Sequence, residues 1–464
     1  MKIITGTVAV LALATLFGKA ADPAERLSDL EKRYEALEQR YKVLERKLEL
    51  QQEGTAEKSK TSASLSAGAS GFSFRSADSN FVFKLRGLLQ VDSRTYLDDG
   101  GIGNNDTFAL RRARPIIEGT VFKYFDFLFT PEFGSSTPAI RDAYINFRYI
   151  PELQLRAGKM KTPIGLELWQ SSTANSFVER SLASDLLPGR DVGFMLHGDI
   201  WRGAEADTRK LAFTGVLNYS IGAYNGVGDG RNSSNVDFDD EKSVAARLFV
   251  HPFLKTEIEP LKGLGLGVAG SYGNVEGSEG LPSSYQTEAL QTFFNYRSGP
   301  NFIADGDLWR ISPQGYYYWG PFGLMGEYVL ASQNLSAVTN ITFGNIHNQA
   351  WHVSASYVLT GEDNGFRGVT PRNNFDPREG HWGALQLVAR YSELKLDDEI
   401  FPTFANPDTA AERATALGVG LNWYLNRNVR ASANFIHTDF EGGEEGTVPR
   451  QDENAFLTRL QLAF

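Results

Sequence analysis

The sequence predicts an all-β chain: a 16-stranded antiparallel transmembrane β-barrel with an N-terminal coiled-coil helix. Three observations carry that prediction. About sixteen segments of roughly ten residues alternate apolar with polar or small side chains, which is the length and period of a tilted strand crossing a bilayer. No stretch reaches the roughly 18 consecutive apolar residues that a spanning helix needs, and a mean hydropathy of -0.29 excludes a polytopic helical membrane protein. The chain ends on "ENAFLTRLQLAF", where Phe456, Leu460, Leu462 and Phe464 share one parity and Leu457, Arg459, Gln461 and Ala463 the other. A terminus that buries nothing frays in water. Alternation up to a final Phe instead suits a last strand that must pair with the first, because every backbone polar group in lipid needs a partner. The 46 Gly, 18 Tyr and 31 Phe among 464 residues fit strands joined by tight turns.

Taken in chain order, residues 1–20 read as a signal peptide, with Lys2, an apolar run to Phe17 and the small-x-small sequence Gly18-Lys19-Ala20. Removing Lys2 and Lys19 takes the net charge from -10 to -12, which argues against a nucleic-acid partner. Over residues 24–52, Leu27, Leu30, Tyr34, Leu37, Tyr41, Leu44 and Leu48 keep heptad spacing, so a coiled-coil helix is expected; one amphipathic helix docked on the barrel is the alternative. Residues 53–79 are polar and rich in small side chains, and read as a flexible linker.

The barrel is expected over 80–464. In "FVFKLRGLLQVDSR", Phe81, Phe83, Leu85, Leu89 and Val91 oppose Lys84, Arg86, Gln90, Asp92 and Arg94. "ATALGVGLNWYL" repeats the pattern, with Leu417, Val419, Leu421, Trp423 and Leu425 on one face. Short joints at Phe122-Lys123-Tyr124, Ile150-Pro151-Glu152, Trp319-Gly320-Pro321 and Asn426-Arg427-Asn428 fall on every second connection, as periplasmic turns should. One joint misfits: "GEDNGFRGVTPRNNFDPREG" is long where a short turn is due, so either that loop is enlarged or the strand count slips there.

If the apolar parity faces lipid, the other lines a lumen. It carries Lys84, Arg86, Arg94, Arg112, Arg114, Arg156, Arg247, Arg310, Arg390, Arg430 and Arg459, against Asp92, Glu118, Asp126, Glu132, Asp142, Asp199 and Glu327. A basic wall in an acidic chain predicts anion preference, unless these charges pair with one another and leave little field. Arg111 lies on the wrong parity and reaches the lumen only from the rim or through a bulge. The connection over 161–190 follows the fifth strand; folded inward, it would offer Lys161, Ser171 and Ser172, with Lys159 just before it, to a hydrated anion.

Several stretches together, among them "FKLRGLLQVD", "LRRARPIIEGTV", "DAYINF", "LRAGKMKTPIGLE", "SPQGYYYWGPFGLMGEYV" and "LGVGLNWYLNRNVRASANF", resemble the phosphate-selective porin O and P family from about Phe81 to Phe464. The resemblance implies a sixteen-stranded outer-membrane porin, trimeric where characterised. It implies that Arg111 and Arg112 match the family's arginine pair, and Ser171 and Ser172 the paired serines of its constriction loop. Phosphate-specific members have a lysine where Leu168 stands and an arginine where Leu88 stands, while Arg114 adds a charge where they have a tyrosine. An uncharged Leu cannot coordinate phosphate, so a general anion channel is the expectation. Pore-lining anion ligands are then Arg111, Arg112, Arg114, Arg86, Lys84, Arg156, Lys161, Ser171, Ser172 and Arg459.

No enzyme, cofactor or metal is expected. The chain has no Cys, its six His include no HExxH pair, and no G-x-S-x-G elbow sits in a strand-to-helix context. Expected partners are small anions, phosphate among them, outer-membrane lipid and two further copies of the chain, with the coiled coil reaching into the periplasm toward the cell wall. Two other readings remain: an envelope tether acting through that coiled coil, and a general or sugar porin suggested by the aromatic-rich "YYYW".

Overall fold

The computed structural model describes residues 23–61, 63–97, 105–134, 137–204, 208, 210–230, 232–237, 239–281, 284–299, 301–337, 342–443 and 450–464. The expected signal peptide lies outside them. The chain forms two units, residues 1–63 and 64–464.

In the first unit, helix α1 (Pro23–Thr61) runs nine residues past the expected boundary. Arg33–Asp29 and Lys42–Glu38 pairs at i,i+4 spacing brace its surface. All seven heptad residues, Leu27 to Leu48, are 57–70 % exposed. Within this unit the apolar stripe is not buried.

The second unit begins with a hairpin, β1 (Ser64–Gly68) and β2 (Gly71–Arg75), where a flexible linker was expected. Its backbone is fixed because β2 adds to the edge of β3, pairing Phe72–Arg75 with Leu85–Val82. Sixteen strands then form the barrel: β3 (Val82–Tyr96), β4 (Thr107–Val121), β5 (Phe125–Glu132), β6 (Ala139–Ile150), β7 (Leu153–Lys161), β8 (Arg190–Arg202), β9 (Gly215–Tyr224), β10 (Ser243–Val250) and β11 (Leu264–Gly277). After a small hairpin, β12 (Tyr285–Gln286) with β13 (Thr292–Phe294), come β14 (Phe302–Trp319), β15 (Phe322–Ala337), β16 (Thr342–Val358), β17 (Ala384–Lys395), β18 (Ala411–Tyr424), β19 (Val429–Gly442) and β20 (Glu453–Ala463). Each barrel strand pairs antiparallel with its neighbour, and β20 closes on β3 from Ala455↔Tyr96 to Ala463↔Leu88.

The closure explains the terminal Phe. Phe464 exchanges two backbone hydrogen bonds with Gly87, each 3.0 Å, and meets Phe72 edge-on at 6.2 Å. A Cβ on Gly87 would lie 2.6 Å from the Phe464 ring, so the last aromatic needs a glycine beneath it. Along the β3 edge, β20 ends and β2 takes over, which covers backbone that would otherwise stand open.

The parity reading holds along the wall: Leu89, Val91, Leu417, Val419, Leu460 and Leu462 are exposed outward, while Gln90, Asp92, Asn422 and Arg459 are buried inward. The end that carries the terminal strand has tight turns. Between the paired Val121 and Phe125 the turn is three residues, of which Phe122 and Lys123 both adopt positive φ. Aromatic pairs ring this end, Phe81–Phe122 at 4.9 Å and Tyr124–Tyr149 at 5.1 Å. The misfitting connection, residues 359–383, is an enlarged loop at this same end, so the strand count does not slip.

Candidate functional site

Several connections fold into the lumen, and three of them meet there. The one between β7 and β8, residues 162–189, is almost wholly buried and includes the single turn α2 (Leu166–Trp169). It is tied to wall strands all around: Gln314 donates to Ile164 O (2.7 Å), Arg430 to Asn175 O (2.9 Å), Asn422 to Ser176 O (2.8 Å), and Val178 N–H to Asn434 (2.7 Å). The loop therefore folds inward, placing Ser171 and Ser172 in the barrel. From the terminal-strand end, residues 359–383 reach up to meet it, with Gln170 donating to Phe366 O at 2.6 Å. From the far end, residues 278–299 descend onto it, with Gln286 N–H donating to Asp185 at 2.8 Å.

One knot fixes the loop to the wall. Arg111 donates to both oxygens of Glu179, at 2.6 and 3.0 Å, and Arg459 donates to Glu179 at 2.9 Å and to both oxygens of Asp92 at 2.7 Å. Arg94 and Arg112 stand 3.8 and 3.9 Å from Glu179. Arg111 enters through a bulge: the register passes from Gln90↔Arg112 to Val91↔Leu110, leaving Arg111 unpaired, so that two adjacent arginines both face inward. Burial pushes the Glu179 carboxyl up, but Arg111, Arg459 and Arg112 outweigh it and hold the group well below the usual carboxylate range. The expected arginine pair thus first serves as a clamp on the loop.

Below the loop, a cavity of about 950 Å³ opens toward the terminal-strand end. Its walls carry Arg86, Arg114, Arg156, Lys161, Arg190, Lys210, Arg367, Arg372, Arg427 and Arg430, against three acids, Asp142, Glu362 and Asp363. Some of these cations are paired: Arg114 with Glu132 (2.5 Å), Arg86 with Glu118 (2.7 Å), Arg190 with Asp142 (2.9 Å) and Lys210 with Asp363 (2.6 Å). Arg156, Lys161, Arg367, Arg372, Arg427 and Arg430 make no ion pair among the described residues; Arg156 instead stacks on Tyr144 at 4.4 Å and Arg430 on Tyr424 at 5.5 Å. At the roof, Ser172 Oγ accepts from Arg114 (3.2 Å), Ser171 Oγ lies 2.8 Å from Thr173 Oγ1, and Lys161 Nζ donates to the carbonyls of Trp169 and Gln170 at 3.0 Å each.

The structure thus brings Arg86, Arg114, Arg156, Lys161, Ser171 and Ser172 to one cavity. Arg111, Arg112 and Arg459 gather in the knot above it. Lys84 stands 3.7 Å from Glu118 and lines a second hollow at the terminal-strand rim. Strand parity missed the loop carboxylates, Glu167, Glu179 and Glu288, that neutralise wall arginines, and missed Arg190 at the first position of β8 and the turn and loop cations Lys210, Arg367, Arg372 and Arg427. Parity speaks only for strands. Leu88 does line the cavity, between Arg86 and Arg114, whereas Leu168 packs against the apolar cluster of the loop.

The phosphate-selective porin O and P family matches residues 83–464. Porin O of Pseudomonas aeruginosa is 24 % identical over 427 residues, covering 85 % of this chain and 91 % of that protein. The outer membrane channel DcaP of Acinetobacter baumannii superposes with a TM-score of 0.54 at 12 % identity, covering 86 % of this chain and all of that one.

Proposed function

The chain belongs to the phosphate-selective porin O and P family and is an outer-membrane porin; on that premise we propose that its channel conducts small anions in preference to cations, phosphate among them. The observation that carries the proposal is the cavity of about 950 Å³ whose wall bears ten cationic and three anionic side chains. Low-dielectric walls focus such a field and raise the local concentration of counter-ions. Arg156, Lys161, Arg367, Arg372, Arg427 and Arg430 carry most weight, because a charge without a carboxylate partner keeps its field while an ion pair cancels it.

Ser172 with Arg114, and Lys161 beside them, form the narrow end of the path. There a hydrated anion exchanges water for guanidinium and hydroxyl donors. Leu88 faces that path without a charge, which favours general anion diffusion over tight phosphate binding. The exposed heptad stripe of α1 serves as the seam of a coiled coil between three copies of the chain, in the periplasm if both chain ends lie there as is usual for such barrels.

Reversal potentials across a KCl gradient in a planar bilayer, followed by phosphate titration of the chloride current, test the proposal. An anion-selective potential with weak phosphate block is expected. A cation-selective potential would overturn it.

A further inference from the structure

Beneath the constriction loop lies a cluster that ion conduction does not use. Glu327 on β15 and His352 on β16 face each other across the ladder, and Glu167 of α2 comes down onto them from the loop. All three are buried, and their ligand atoms lie within 4.8 Å of one another. His352 Nδ1 is engaged by the Ser354 hydroxyl at 3.2 Å. Its Nε2 has no hydrogen-bond partner among the described residues, although it lies 3.4 Å from Glu327 Oε1 and the residue is 1 % exposed.

Such an arrangement is unfavourable as it stands. If Nε2 is bare, its lone pair faces two carboxylates. If it is protonated, its N–H reaches no acceptor in good geometry, and a buried donor without one costs about 1–3 kcal/mol. The neighbouring positive charge is already shared: Arg390 donates to Glu167 Oε1 at 3.1 Å and also pairs with Glu288. With one guanidinium between those two acids, Glu327 has among the described residues only the His352 imidazole, 3.4 Å away, as a cationic neighbour.

The remaining contacts hold the donors in place. Glu167 Oε2 accepts from Ser181 N–H (2.9 Å), Ser181 Oγ (2.7 Å) and Ser184 Oγ (3.2 Å), while Glu327 accepts from the Leu166 and Glu167 N–H groups at 2.7 and 3.2 Å. A ligating histidine whose second ring nitrogen is held by a hydrogen bond is the common second-sphere pattern of metal sites. We propose that Glu167, Glu327 and His352 bind a divalent cation of the zinc class, which cross-links the constriction loop to β15 and β16. One imidazole and two carboxylates suit such an ion, and metal–ligand bonds of about 2.0–2.2 Å require the three donors only to draw closer together.

The test is zinc binding by the full-length protein, purified folded in detergent and stripped with chelator. Equilibrium dialysis should return about one tightly held zinc per chain, lost in His352→Gln and in Glu327→Gln. It should be kept in His437→Ala, which removes the exposed grouping of His437, Asp439 and Asp452 at the far rim. Tight zinc that survives both of the first two substitutions, or no tight zinc in the unsubstituted protein, overturns the site. Should the variants fail to fold, zinc-edge X-ray absorption of the unsubstituted protein decides: one imidazole among oxygen ligands is expected, and two or more imidazoles refute it. None of these readouts depends on ion selectivity.

Discussion

The two halves of the lumen are built from the same residue types and behave oppositely. Toward the terminal-strand end, Arg156, Arg427 and Arg430 line a wide cavity without carboxylate partners. Toward the far end, Arg310 is paired with Asp229 and Arg390 with Glu288 and Glu167, while Tyr285, Phe294, Tyr296 and Phe401 pack ring against ring at 4.8–6.3 Å. A lumen arginine therefore predicts selectivity only once its partner is known. In the far half, loops that dip into the barrel supply the partners; in the near half, the cations outnumber what the loops bring.

The largest expected effect comes from cutting the tie between the halves. In Glu179→Gln, four guanidinium groups, those of Arg94, Arg111, Arg112 and Arg459, lose their shared carboxylate, and breaking a buried pair costs about 3–5 kcal/mol. The loop should loosen at this side of the wall, with a rise in single-channel conductance and stronger anion selectivity; unchanged conductance would mean that the remaining ties, from Gln314, Asn422, Arg430 and Asn434, hold the loop without the Glu179 knot.

Phe294→Ala acts on the far half alone. Deleting a buried aromatic costs about 3–5 kcal/mol in packing, so the far-end loops should loosen and conductance rise while the reversal potential stays put. A shift in reversal potential would place the selectivity determinant at the wrong end.

Leu88→Arg sharpens the contrast by adding a cation to the near half. A hydrogen bond to a charged group is worth about 1.5–3 kcal/mol, so phosphate should block the chloride current at a concentration at least about tenfold lower. No change in block would mean that Leu88 lies off the ion path.

The smallest effect concerns pH. The folded-state depression of the Glu179 carboxyl contributes stability that is complete above the ordinary value of 4.5 and is lost only as pH falls through the lowered value. Burial pushes the Asp185 carboxyl of the same loop up to about 7, so the prediction is read in Asp185→Asn, where loop noise in the current record should stay constant from pH 7 down to about 5. Noise that grows on acidification across that window would mean that Arg111 and Arg459 do not hold the carboxylate.

This contrast also shows which parts of the molecule were legible in the sequence. All sixteen barrel strands were, because a wall with lipid on one side and water on the other imposes period 2 on every crossing. The hairpin β1–β2 was not: "SLSAG" and "GFSFR" offer only Phe72 and Phe74 as a pattern, and what orders them is the vacant edge of β3, which is a tertiary fact. Arg111 was legible only as a condition, a bulge, and the bulge is present. The inward fold of residues 162–189 was the assumption on which Ser171 and Ser172 rested, and it holds. Asp92, Glu118, Glu132 and Asp142 were legible as lumen acids and each holds an arginine; the loop partners were out of reach, since Glu167, Glu179 and Glu288 sit where no period reports which way a side chain turns.

The central claim is that unpaired cations of the near half set anion preference, and the triple neutralisation Arg156→Gln, Arg427→Gln and Arg430→Gln tests it most directly. Each charge at about 7 Å from a passing ion in water is worth roughly 0.6 kcal/mol, about threefold in permeability ratio. The reversal potential in a KCl gradient should therefore move close to zero or to the cation side, with the barrel still folded on a heat-modifiability gel. A variant that folds and keeps the anion selectivity of the unsubstituted protein would contradict the account.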